Sequence, residues 1–334
     1  MSKNKKYTVG GLFSGVGGIE LGFLQNDFEI LWSNDIDKDA SQTFKLNFEH
    51  KHILEDIHKI NGKDLESVDV LVGGFPCQAF SIAGYRKGFE DDRGNLFFEI
   101  VRLIEELKEK PKALLLENVK NFYTHDHGNT FKMVLKSLEE LGYCVFSKVL
   151  NTSDYTIIPQ NRERTFIICF LEGPNAHIYN EHSMSKVFNE HFPPKKIQKT
   201  NHIKKYLESQ EVEERFYYRE DKYMYEELKK EIKSEDTVYQ WRRHYVRENK
   251  SDVCPTLTAN MGTGGHNVPL IKDNFGFRKL TPRECFNLQG FPKSYKLPKG
   301  MSISHLYKQA GNSVTVAMVD KLASLIKISL DSMK

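Results

Sequence analysis

The chain has 334 residues, enough for two compact units or one large domain with an insertion, and its 39% hydrophobic, 12% aromatic and 28% charged residues exclude disordered, collagenous and fibrous classes. The longest apolar runs, at 113–116 and 166–171, fall far short of the ~20 residues that span a bilayer, and the basic residues 1–6 run into a glycine-rich segment without a signal-peptide core, so a cytoplasmic protein without a membrane partner is expected. A net charge of +3 is too mild to prove a polyanionic partner, and five cysteines without a C-x-x-C pair suggest neither a disulfide framework nor a metal site.

In chain order, a strand over 7–13 leads through Phe13-Ser14-Gly15-Val16-Gly17-Gly18 into a helix marked by Ile19, Leu21, Phe23 and Leu24, which is a βα unit. Further strands are expected near 29–32, 68–73, 113–116, 143–150 and 165–171, with helices near 39–48, 96–108 and 129–141. This alternation predicts an α/β fold with a doubly wound, mostly parallel sheet, in which ligands collect beyond the carboxyl ends of the strands. From 173 the rhythm is lost until about 278. A Lys/Glu-rich helical segment is expected over 203–232, and Arg242, Arg243 and Arg247 are interleaved with Tyr239, Trp241, His244 and Tyr245. That basic cluster is read equally as a solvated face or as a nucleic-acid contact. No internal repeat is found.

Four strand ends and one strand entry carry chemistry. The glycine loop lets a ligand approach the backbone and aims amides at it, although the dinucleotide pattern fails because Glu20 holds the third glycine position. A tight turn that binds nothing is the bland alternative. Asp35, about twenty residues beyond, sits where an acidic side chain takes ribose hydroxyls. Cys77, in Gly73-Gly74-Phe75-Pro76-Cys77-Gln78, follows an apolar strand and is a candidate nucleophile, whereas Cys144, Cys169, Cys254 and Cys285 read as small buried hydrophobes. Glu117, in Glu117-Asn118-Val119, ends another strand at the same edge. Gln160-Asn161-Arg162-Glu163-Arg164 sets two alternating arginines at the entry to the next strand, where a salt-bridged edge is the default reading.

These motifs, followed by Arg278-Lys279-Leu280-Thr281-Pro282-Arg283-Glu284 and Gly311-Asn312-Ser313-Val314, stand in the order of the DNA (cytosine-5)-methyltransferases, and the chain resembles the bacterial restriction-modification members of that family over nearly its whole length. The resemblance implies S-adenosyl-L-methionine as cofactor, duplex DNA as substrate and a cytosine flipped out of the helix. It implies that Cys77 adds to carbon 6 while Glu117 holds ring nitrogen 3. It also implies that Arg164 contacts the flipped base or its phosphate, and a positive charge from Arg162 or Arg164 would favour the thiolate. Phe13, Gly15, Gly17, Gly18, Asp35, Ile36, Asp56, Ile57, Pro76, Leu96, Asn312 and Ser313 would form the cofactor pocket, with Asp56 on the adenine amino group. Ser81 and Arg93 belong to a segment resembling the family's mobile loop, which implies that they bind DNA as it closes on the duplex. Thr256, Thr258 and Asn260, with Arg242 and Arg243, would meet DNA.

The expected division is a catalytic and cofactor-binding domain over 1–172 and 300–334 and a target-recognition domain over 173–299, with the C-terminal helix returning to the first. A monomer is expected, with a restriction endonuclease as its genetic rather than physical partner. The competing readings are an RNA-methylating relative, a nicotinamide-dependent oxidoreductase using Cys77, and a catalytically inert DNA-binding relative.

Overall fold

The computed structural model describes residues 6–76, 96–171, 202–242, 245–249, 252–263 and 268–332; Cys77, Ser81, Arg93 and Arg243 lie outside them. Among the described residues, eight strands come from the first half: β1 (Thr8–Leu12), β2 (Glu29–Asp35), β3 (Lys51–Leu54), β4 (Val70–Gly74), β5 (Ala113–Val119), β6 (Tyr143–Asn151), β7 (Gln160–Asn161) and β8 (Glu163–Leu171). All but β7 join one sheet in the order β3-β2-β1-β4-β5-β8-β6. The pairings from β3 through β5 are parallel, and β8 runs antiparallel to both β5 and β6. Since β2 and β3 build out on one side of β1 and β4 on the other, the order reverses between β1 and β4. The loops after these two strands diverge there and leave a crevice.

Both faces of the sheet are covered, which is why its central strands are apolar without interruption. Alternation sends Val70 and Val72 into one core with Val9, Phe23 and Ile168, and Leu71 into the other with Leu114, Leu116 and Phe97. Helices Gly18–Leu24 and Val316–Ser332 cover the first face, where Val319, Leu322 and Ile326 pack against Phe23 and Ile30. Helices Leu96–Glu106 and Asn129–Glu140 cover the second. The chain's last helix therefore completes the layer begun by its first. No helix among the described residues is long and apolar enough to cross a membrane.

Among the described residues, the second half forms a five-stranded antiparallel sheet from β9 (Tyr217–Tyr218), β10 (Tyr239–Arg242), β11 (Tyr245–Glu248), β13 (Leu270–Asp273) and β14 (Gly276–Lys279), ordered β11-β10-β13-β14-β9, while β12 (Cys254–Pro255) pairs with β7. The helix expected over 203–232 is corrected. Only Tyr225–Glu231 is α-helical, preceded by 3-10 turns at Ile203–Tyr206 and Glu214–Phe216 and by β9. Lys and Glu favour a helix, but Ile203 and Phe216 are drawn into a core with Leu280 and Cys285, and Tyr217 and Tyr218 pair with β14, so tertiary burial overrides propensity.

Helix Pro282–Leu288 opens with a capping box between Thr281 and Glu284. Glu284 also takes both Nη groups of fully buried Arg278 at 2.8 Å, which fixes β14 to this helix. Phe286, Phe291 and Tyr295 then share one core with Phe44 and Phe48 from the first half and with Tyr307. The two sheets thus meet through a common apolar layer.

Candidate active site

The crevice between β1 and β4 is a cavity of about 340 Å³. On one wall the chain leaves β1 through Phe13, whose φ of 53° is unusual for a side-chain-bearing residue, and Gly15 follows at φ 54°. A Cβ at Gly15 would meet nothing within 4 Å, so its backbone faces open space, whereas one at Gly17 would lie 2.2 Å from the Phe48 ring. Both glycines hold left-handed φ, 54° and 77°, and they differ in what they face, open space at Gly15 and packed aromatic rings at Gly17. The Gly15 amide donates to Asp35 Oδ2 at 2.6 Å, and Asp37 N donates to Oδ1 at 2.7 Å. Burial raises the Asp35 carboxyl above the ordinary range, against the pull of these amides.

On the opposite wall the loop after β4 is tied to β5, because buried Asn118 donates Nδ2 to the Phe75 carbonyl at 3.0 Å. That bond fixes the backbone two residues before Cys77. Glu117 lies beside Gly74 in the parallel register and pairs with Arg164 Nε at 3.0 Å, both side chains being about 15% exposed. Arg162, only two residues away, does something else. It is fully buried, donating Nη1 to the Leu257 carbonyl at 2.8 Å and Nη2 to the carbonyls of Gly311 and Ser313. The alternating arginines of the sequence motif therefore face different partners, Arg164 the carboxylate and Arg162 three main-chain oxygens.

Of the residues expected in the cofactor pocket, Phe13, Gly15, Gly18, Asp35, Pro76, Asn312 and Ser313 line this cavity together with Glu117, Arg162 and Arg164. Gly17, Ile36, Asp56, Ile57 and Leu96 do not. Ile36 is 64% exposed, Ile57 is buried in the core beside Trp32, and Leu96 packs against that same core. Asp56 follows β3 at the same sheet edge as Asp35 and bonds His58 Nδ1 at 2.7 Å, an interaction that lowers its carboxyl below the ordinary range. Among the lining residues that went unnoticed in the sequence are Asp37, the N-cap of helix Lys38–Lys45, and Lys308, which pairs with it at 2.7 Å from helix Ile303–Asn312. The Asp-x-Asp spacing before that helix was the available signal. Among the proposed DNA contacts, Arg242, Thr258 and Asn260 are exposed, and Thr256 donates to the Asn161 carbonyl.

Residues 7–327 match the profile described as C-5 cytosine-specific DNA methylase. The chain belongs to that family. It is 52% identical over 327 residues to the type II methyltransferase M.Bsp6I of Bacillus sp. (strain RFL6), covering 96% of this chain and 99% of that protein. It is 39% identical over 336 residues to M.HhaI of Haemophilus parahaemolyticus, covering 96% and 94%. Among solved structures, the S. pombe Dnmt2 methyltransferase superposes with a TM-score of 0.72 at 20% identity, covering 99% of this chain and all of that one, a likeness of fold. Membership in the C-5 cytosine methylases sets aside the nicotinamide-dependent reading.

Proposed function

We propose that this C-5 cytosine methylase transfers a methyl group from S-adenosyl-L-methionine to carbon 5 of a flipped cytosine in a short duplex sequence. The observation that supports it best is one cavity that brings Glu117 and Arg164 together with Gly15, Asp35 and Asn312, so that a base-binding carboxylate and a nucleoside-binding loop share a space. The residues fit such a cofactor: the open backbone at Gly15 leaves room, Asp35 supplies a carboxylate acceptor for ribose hydroxyls, Phe13 an aromatic face and Asn312 an amide. When bound, the cofactor supplies an electrophilic methyl group on a sulfonium sulfur.

The protein must make a poor nucleophile reactive. Cys77 forms a bond from sulfur to carbon 6, and the electron pair of the 5,6 double bond becomes available at carbon 5. Glu117, held by Arg164, binds ring nitrogen 3 and stabilises charge developing in the ring. After carbon 5 has acquired its fourth substituent, loss of its proton re-forms the double bond and expels the Cys77 thiolate. The target-recognition region, 173–299, would read bases, with a restriction endonuclease as genetic partner. The protein would act as a monomer in the cytoplasm, where its DNA lies.

Bisulfite sequencing of plasmid from an expressing host is expected to show protected cytosines in one common context, and labelled methyl transfer should favour duplex DNA over tRNA. A duplex with 5-fluorocytosine at the target position should then trap the protein covalently, since fluorine cannot leave as a cation. Cys77→Ser should abolish the adduct. Scattered or absent methylation would overturn the function, and an adduct in the Cys77→Ser protein would overturn the nucleophile.

A further inference from the structure

The loop after β12 and the wall of the cofactor cavity are joined by contacts that the chemistry above does not call for. Arg162 is the first. A buried guanidinium is costly to desolvate, and this one spends its Nη donors on carbonyls from two distant segments, Leu257 in the loop and Gly311 and Ser313 at the end of helix Ile303–Asn312. Gly311 is the second. A Cβ there would lie 2.3 Å from the Thr258 carbonyl oxygen and 2.4 Å from the Ala259 nitrogen, so only a glycine lets the loop backbone rest on the helix. Tyr307 is the third, since a Cβ at Gly262 would come within 2.8 Å of its ring. The far side of this seam is functional, because Gly311 and Ser313 line the same cavity as Gly15 and Asp35. The near side carries Thr258 and Asn260, which are exposed and bonded to each other at 2.9 Å.

We propose that Arg162 and Gly311 are positioning residues that lock loop 256–261 to the 311–313 wall, so that filling the cofactor cavity and engagement of DNA by the loop strengthen each other. The proposal rests on the methyltransferase reading of the cavity. Where a ligand on one side of the seam favours the arrangement that the other side also needs, linkage requires the two ligands to raise each other's affinity by the same factor.

Two measurements test this. In the unaltered protein without DNA, S-adenosylhomocysteine should slow hydrogen exchange of amides 257–263 by about threefold or more and leave Tyr239–Arg242 unchanged. Unchanged loop exchange in a protein that binds the compound would overturn the proposal, whether or not any variant folds. The second measurement is the ratio of S-adenosylhomocysteine dissociation constants without and with a duplex carrying the methylated sequence. It should be about fivefold or more in the unaltered protein and approach one in Arg162→Lys and in Gly311→Ala. A merely structural role would shift both constants together and preserve the ratio, so an unchanged ratio in a folded variant also overturns the coupling. Absence of methyl transfer to DNA by the unaltered protein would instead defeat the functional reading, a failure distinct from both.

Discussion

Glu20 lies directly behind the glycine loop, fully buried, with Ser33 Oγ donating to its Oε1 at 3.2 Å and His50 Nε2 2.8 Å from the same hydroxyl. A Cβ at Gly11 would stand 2.3 Å from Oε1, so the carboxyl occupies space that only a glycine in β1 leaves free. Burial, the largest influence, raises the Glu20 carboxyl from 4.5 to about 7, against the Ser33 bond. Between these values the folded chain keeps a proton that the unfolded chain has lost. The stability tied to this proton is therefore full below pH 4.5 and falls by about 3 kcal/mol as pH rises through 7. Glu20→Gln keeps the shape and has no proton to lose, so its stability relative to the parent should grow by about that amount from pH 4.5 to 8 in urea denaturation. Parallel pH profiles for the two proteins would remove this account. In the sequence Glu20 appeared only as the residue that breaks a dinucleotide motif, because burial of a charge is not visible in spacing.

At the scale of elements, the C-terminal helix Val316–Ser332 is the clearest case of a distant segment completing a layer. Leu322 is fully buried against the sheet, while Ile328 on the same helix is 42% exposed. Leu322→Ala should cost about 2–5 kcal/mol in urea denaturation and Ile328→Ala less than about 1 kcal/mol. Equal losses would mean that the helix is not seated on that face. The continuous apolar runs of β4 and β5 and the glycine loop were legible because their patterns are local and strong. β3 was missed, since Lys51 and His52 interrupt its apolar pattern, and the expected helix over 203–232 gave way to turns and a strand. In both cases the deciding partner, β2 for one and β14 for the other, lies elsewhere in the chain.

For the whole molecule, the question is how separable the two sheets are. The small core of Met224, Leu228, Tyr239, Trp241 and Leu270 belongs to the second sheet alone, whereas Leu257 and Met261 pack in the layer shared with Phe44 and Phe48. Exchanging residues 217–253 for those of a relative, with loop 256–261 retained, should therefore change the methylated sequence and preserve methyl transfer, as read by bisulfite sequencing. An active chimera with an unchanged target would place specificity elsewhere. By itself the sequence determined the α/β class, the mostly parallel sheet and the strand-end positions of Asp35 and Glu117. Alternation, glycine loops and motif order are written in neighbouring residues. Only the tertiary structure separated Arg162 from Arg164, gave Gly17 to packing and Gly15 to the cavity, and joined residues 311–313 to a loop some fifty residues earlier. These depend on which atoms a side chain meets after the chain has folded back, and local pattern carries no record of that distance.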